Sequence, residues 1–274
     1  MKKESSYQSL KKYMRSKRTV TTIYLILRLL VILTMVLQLI SRNFQNVFVC
    51  MLTLFLFMLP SIIERKLHID LPDVLEIIIL IFIFAADILG EIKEFYVLVP
   101  HWDTVLHTIN GFLFAAIGFC ILNIFNENKR ITLTLSPLSM ALVAFCFSMT
   151  IGVLWEFFEW GMDCWFGYDM QKDVILQNIA SVAIHPDGRN IPVAVTDISD
   201  MILVYADGTQ MALGLGGYLD IGLQDTMKDL LVNLVGAVVF AVIGYFYVKT
   251  RGKGKIAKMF IPEVLETAPE QEHE

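Results

Sequence analysis

Apolar residues along this chain gather into runs longer than a buried helix or strand of a soluble domain needs. Crossing about 30 Å of hydrocarbon takes about 20 mostly apolar residues. Windows of that length, bounded by charge, Pro or Gly, occur roughly at 21–40, 46–63, 72–90, 105–125, 138–159 and 229–248. Each is predicted to be helical, because lipid offers no partner to an open backbone. The expected fold is an all-α transmembrane bundle of six spans. One long connection interrupts it, Trp160 to Lys228, where the composition turns polar. Residues 181–213 carry short β-branched runs broken at Pro186-Asp187-Gly188 and Asp207-Gly208, which are hairpin signals. Two to four short strands are expected there, as a small extracytoplasmic β-hairpin insertion between spans five and six. The glycines of 214–223 are not spaced as in a phosphate loop.

The first span has no small-residue cleavage site after Ile40, so it is expected to remain as an anchor. Sixteen Lys and Arg fall on the side of the N-terminal tail, among them Lys2, Lys3, Lys11, Lys12, Arg15, Arg65, Lys66, Lys129, Arg130, Lys253 and Lys255; five fall on the other side. Basic residues concentrate in cytoplasmic loops, so both termini are expected in the cytoplasm. The chain then divides into a basic tail (1–20), five spans (21–159), an outer loop with short strands (160–228), a sixth span (229–248) and a cytoplasmic tail (249–274). Its acidic end, 263–274, is expected to be solvated and unstructured. Over the 274 residues, 56% are apolar and 18% charged, against about 45–50% and about 25% in soluble domains. A water-soluble enzyme and a disordered chain are both set aside, and the lipid bilayer becomes the solvent. A net charge of -5 argues against nucleic acid as a partner. The four cysteines stand singly and read as small apolar residues.

Polar residues within the spans collect at one end. Asp87 and Glu91 close span three, Asp103 and His107 open span four, Glu156, Glu159 and Asp163 close span five, and Asp225, Asp229 and Asn233 open span six. Asp103 and His107 are four apart, as are Asp225 and Asp229, so each pair shares a helix face. The strings DTVLH and DTMKD place Asp plus His on one helix and Asp plus Asp on another. Two like charges need a cation, a shared proton or water between them. Oxygen ligands with one imidazole suit a divalent metal ion, with His107, Glu156, Asp225 and Asp229 as ligands. The same groups suit acid/base catalysis, with His107 as base, Asp103 as its orienter and Glu156 as an acid. Asn110, Glu159, Asp163 and Asn233 would support either.

Structural readings compete. Asp103 and Asp225, each followed by Thr at a helix start, suit N-caps, and His107 suits a hydrogen bond to a neighbouring helix. Glu159 and Asp163 suit interfacial acids beside Trp155, Trp160 and Trp165, and Arg28 suits snorkelling or an ion pair with Glu76. Glu156 and Asp229 are harder to explain structurally, since an unpaired carboxylate costs about 2.5–3.5 kcal/mol near the bilayer centre. Gly111, Ala115, Ala116 and Gly118 on span four and Gly236, Ala237, Ala241 and Gly244 on span six allow close helix approach.

WDTVLHTINGF (102–112), LWEFFEW (154–160), GYDMQKD (167–173) and DTMKDLLVNLVGA (225–237) resemble the YjdF-like bacterial membrane proteins, distant relatives of the VanZ-like proteins. The resemblance covers roughly 72–248. It implies a multi-pass protein of the bacterial plasma membrane, and its VanZ-like branch implies the cell envelope. Gln171 or Gln177 stands where VanZ-like chains carry a glutamine. Three functions fit: a cation or acid/base site acting on a lipid-linked or envelope substrate, a proton- or cation-coupled transporter, and a non-catalytic envelope or partner-binding protein.

Overall fold

The computed structural model describes residues 17–67, 69–127, 135–252, 257–261 and 263–264. The basic residues from Lys2 to Arg15, together with Lys129, Arg130, Lys253 and Lys255, and the tail after Val264, lie outside the described residues. The fold is mostly helical. In chain order it comprises α1 (Arg18–Ile40), α2 (Phe44–Leu56), α3 (Leu59–Leu67), α4 (Asp73–Phe84) continued by a π-helix (Ala85–Ile92), α5 (Phe95–Leu98), α6 (Trp102–Glu127), α7 (Pro137–Phe166) and α8 (Leu223–Lys249). Among the described residues, five stretches are long and apolar enough to cross a membrane: Arg18–Ile40, Phe44–Lys66, Trp102–Asn123, Pro137–Phe166 and Leu223–Lys249. They coincide with five of the six expected windows.

The expected third span differs. It is helical from 73 to 92 but changes from α to π at Ala85, so it forms no single long α-helix. The second span bends where Pro60 has no N–H to give the preceding turn; there the Met58 N–H donates to the Phe55 carbonyl, three residues back. Asn43 starts α2 as a side-chain cap, accepting from the Asn46 N–H at 3.1 Å.

The chain divides into two compact units, one of residues 1–151 with 232–274 and one of residues 152–231. In the first, one apolar core gathers Leu75, Leu113, Phe119, Met140, Ala144 and Phe240, and another gathers Val31, Cys50, Phe57, Leu80 and Ile88. The paired segments α2–α3 and α4–π carry two polar layers. At one, the Thr53 hydroxyl donates to Asp87 at 2.8 Å. At the other, the buried Lys17 ammonium lies 2.6 Å from Glu64, 2.9 Å from Asp70 and 3.1 Å from Glu76, and donates to the Leu71 carbonyl at 2.7 Å. The layers are eleven residues apart on each segment, Thr53 to Glu64 and Glu76 to Asp87. Apolar Phe57 and Leu80 occupy the same pair of segments.

Glu76 therefore pairs with Lys17 and not with Arg28, whose guanidinium donates to Tyr24 at 2.7 Å one turn away. An arginine on a half-lipid surface reaches its own helix more cheaply than a buried acid. Burial opposes the Lys17 charge, but hydrogen bonds to Glu64 and Asp70 and the charge of Glu76 outweigh it and raise its pKa. Its stabilisation is thus full below the ordinary lysine value near 10.4 and fades only as pH rises through the higher folded value. Lys17→Ala strands two buried carboxylates and should cost about 3–5 kcal/mol, read as a lowered melting temperature in detergent. Adding Glu64→Gln and Glu76→Gln should recover part of that loss, because the charges left without their ammonium are gone.

Of the acidic run expected at 263–274, only the first two residues are among those described, and they are paired. Glu263–Val264 pairs antiparallel with Ile69–Asp70, Ile261 is buried, and Phe260 meets the edge of Phe112 at 5.0 Å. Apolar Phe260 and Ile261, just before the acidic run, supply the anchor.

The second unit holds three antiparallel strand pairs between α7 and α8. They are Val174–Leu176 with Tyr218–Asp220, Ile179–Ser181 with Val193–Val195, and Ile202–Val204 with Gln210–Ala212. The inner two close through the expected turns, with Gly188 at φ +63 and Gly208 at φ +83, where glycine avoids a Cβ clash. In the second turn Asp207 accepts from the Thr209 hydroxyl and N–H at 2.7 and 2.9 Å, and these bonds lower its pKa. The outermost pair carries no sequence turn signal, because it closes across the whole insertion.

Candidate functional site

Within the first unit, Asp103 and His107 sit in the opening turns of α6. His107 is 7% exposed and its Nε2 lies 3.4 Å from Asp103 Oδ1. Asp103 is not an N-cap: α6 already starts at Trp102, after His101 at φ +61. Asp225 is likewise inside the first turn of α8. Both carboxylates therefore meet the positive end of a helix dipole without closing its backbone.

Three helices are locked a turn further along α6. An ideal Cβ on Gly111 would stand 2.0 Å from the Asn233 carbonyl oxygen, and one on Gly236 would stand 2.0 Å from the Thr108 carbonyl oxygen. Only hydrogen at these positions lets α6 and α8 touch backbone to backbone. The Ser148 hydroxyl of α7 donates to the Gly111 carbonyl at 2.7 Å. Asn233, 1% exposed, accepts from Asn110 at 3.4 Å and donates to the Met149 sulfur at 3.6 Å. Asn110 and Asn233 are thus brought together. Ser148 and Met149 were not singled out from the sequence, since one hydroxyl and one thioether in an apolar span carry no distinctive pattern.

Within the second unit, Glu156, Glu159, Asp225 and Asp229 are all buried. Carboxylate oxygens of Glu156 and Glu159 come within 4.8 Å of each other, and Glu159 accepts from the Trp155 indole at 2.8 Å. Lys228 lies 3.5 Å from Asp225 and 3.9 Å from Asp229, so one ammonium relieves the repulsion of the two aspartates. Sequence counting saw Lys228 only as a charge outside the spans.

Asp163 and Asp225 hold the segment after α7. Asp163 accepts from the Met170 and Gln171 N–H groups at 2.6 and 2.9 Å, and Asp225 accepts from the Lys172 N–H at 2.8 Å. The Gln171 amide donates to the Thr226 hydroxyl. Nearby, burial and the charge of Asp169 push the Asp173 pKa up. Asp163→Ala should release this segment by withdrawing both acceptors of two half-buried N–H groups, and a hydrogen bond to a charged group contributes about 1.5–3 kcal/mol. The check is limited trypsin digestion, with faster cleavage after Lys172 than in the parent protein and an intermediate rate for Asp163→Asn.

Several helices of membrane-crossing length that bury carboxylates, imidazole and carboxamides define a multi-pass membrane protein. The chain belongs to the family described as "Predicted membrane protein (DUF2238)", whose model matches residues 23–250. That is the family to which the YjdF-like resemblance points. No curated protein and no solved structure matches it.

Proposed function

We propose that this protein holds a divalent cation at one end of its bundle and uses it, with His107 as ligand or base, on a lipid-linked or cell-envelope substrate. The observation that carries the reading is the lock of α6, α7 and α8 at Gly111, Ser148–Met149 and Asn233. Helical geometry extends from it. His107 precedes Gly111 by four residues and Asp229 precedes Asn233 by four, each about 6 Å along its axis on the same face. Glu156 follows Met149 by seven, two turns on, again on one face.

One imidazole and two carboxylates form a donor set for a borderline divalent ion such as zinc or manganese. Asp103 would orient the ring of His107, as carboxylates commonly do for metal-bound histidines. Glu159 would add a ligand, and Asp225 would chiefly anchor residue 172. A bound cation would polarise a substrate oxygen or activate water. The charge bias supports cytoplasmic termini in a bacterial plasma membrane, with α4 and its π continuation as a sixth crossing. The site and the strand pairs would then lie on the outer side. Elemental analysis of the detergent-purified protein tests the reading: about one divalent ion per chain is expected, and none overturns it.

A further inference from the structure

The π-helix Ala85–Ile92 carries Asp87 against α2. Such helices are rare and recur at functional sites. Asp87 Oδ2 lies 2.8 Å from the Thr53 hydroxyl oxygen, and the same oxygen lies 2.9 Å from the Val49 carbonyl, one turn back on α2. Asp87 is half-buried. Thr53 and Cys50 have no exposed surface, and Ile88, next to Asp87, is 2% exposed.

With Asp87 ionised, the Thr53 hydroxyl would have to donate to both oxygens. It has one hydrogen, so neither bond is then full. Among the described residues Asp87 has no second side-chain hydrogen-bond partner, and no ammonium, guanidinium or imidazole lies within 4.0 Å of it. Of the elements packed against the π-helix, α2 brings the Cys50 thiol, α5 brings Tyr96, and α6 brings Asp103 and His107 at its start. Asp73 and Glu76 stand at the far end of α4, and the exposed Glu91, four residues on along the π-helix, adds a like charge. Thr53 is nine residues past Phe44 in the stretch Phe44–Lys66, about 14 Å along a helix axis, and the hydrocarbon layer is about 30 Å thick. A carboxylate at that depth without a counter-charge is costly.

A proton on Asp87 removes both difficulties. The first bond reverses: the acid donates to Thr53, and the Thr53 hydrogen goes to Val49. Both spacings suit O–H···O bonds.

We propose that Asp87 and Thr53 form a proton-binding site between the π-helix and α2, occupied at neutral pH. On release the proton leaves the Asp87 carboxyl for water, and the Thr53 hydrogen turns from Val49 to the carboxylate left behind. The hydrogen-bond chain ends at a backbone carbonyl, which has no proton to pass on, so the site stores a proton and does not conduct one. It shares no residue with the proposed cation site, and either reading stands without the other.

The test is infrared spectroscopy of the full chain in phospholipid vesicles, with the aspartate carboxyls labelled with carbon-13. At neutral pH the parent chain should show the carbonyl stretch of a protonated aspartic acid, shifted in deuterium oxide. Asp87→Asn, which keeps a neutral donor facing Thr53 and so should keep the parent's melting midpoint, should lose one carboxyl's share of that band. Thr53→Val, which keeps the shape and removes the hydroxyl, should retain the band at higher frequency, because the acid has lost its acceptor; this shift assigns the band to Asp87 independently of the Asn variant. Absence of the band from the parent chain overturns the proposal, as does a band undiminished in Asp87→Asn. A band that appears only in Thr53→Val also overturns it, since Thr53 is then the donor to a carboxylate. Loss of the band when sodium chloride replaces choline chloride at fixed pH overturns it as well, and makes the pair a sodium site.

Discussion

The parent chain is expected to purify with a divalent ion, and His107→Ala and Asp229→Asn are each expected to purify without it. Loss of a group that only orients a metal-bound histidine typically costs about 10–100-fold in affinity; loss of a ligand should cost more. Asp103→Asn, which keeps shape but removes the charge beside the ring, should fall within that 10–100-fold range. Glu156→Gln should behave as a ligand loss, and Asp225→Asn should keep the metal while loosening the segment at Lys172, to which its Oδ2 is bonded. The measurement is metal per chain by elemental analysis together with the melting shift on adding a chelator. A ligand that binds only the folded state stabilises it by RT ln(1 + [L]/Kd), so chelation should lower the midpoint in the parent chain and leave His107→Ala unmoved. Equal metal content in the parent and in the His107→Ala, Asp229→Asn double variant would sink the cation reading.

Gly236→Ala and Gly111→Ala should be among the most damaging single-methyl additions in the chain. In both, the new carbon would stand 2.0 Å from a backbone oxygen of the neighbouring helix, so a whole helix must move, not a side chain. Overpacking typically costs about 1–3 kcal/mol. In a membrane no hydrophobic drive between helices restores the contact, so the upper part of that range is expected. With about 2–4 °C per kcal/mol for a chain of this order of size, the melting midpoint should fall by several degrees. Gly244→Ala is the internal comparison: its added carbon meets the Phe119 ring at 2.9 Å, a side chain that can turn, and the loss should be smaller. If all three variants melt together, close backbone approach is not what holds α6 to α8. Because the lock also carries Asn110, Ser148 and Asn233, the two severe variants should weaken cation retention too, without touching a ligand.

Much of the helical architecture was legible because a lipid-spanning run is long and needs no partner to be recognised. Among the described residues, five windows became helical stretches of membrane-crossing length, the second as α2 and α3 in succession. The third became α4 with a π continuation, a change of helix type that periodicity within one segment does not register. The two inner hairpins could be read from Asp-Gly turns, which are local. The pair Val174–Leu176 with Tyr218–Asp220 could not, since its strands are joined only through the rest of the insertion. For the site, four-residue spacing was enough to pair Asp103 with His107. It did not distinguish Asp225 and Asp163, which hold backbone N–H groups, from Asp229, nor did it find Lys228 between the two aspartates.

By itself, then, the amino-acid order determined the solvent and the length of most crossings, because those depend on composition and local period. Tertiary structure alone decided which partner each charge takes: Lys17 and not Arg28 for Glu76, the Lys172 amide for Asp225, and the backbone of α6 for Gly236. Pairing of that kind is set by distances of a few ångströms between segments remote in the chain, and no pattern along one segment encodes them.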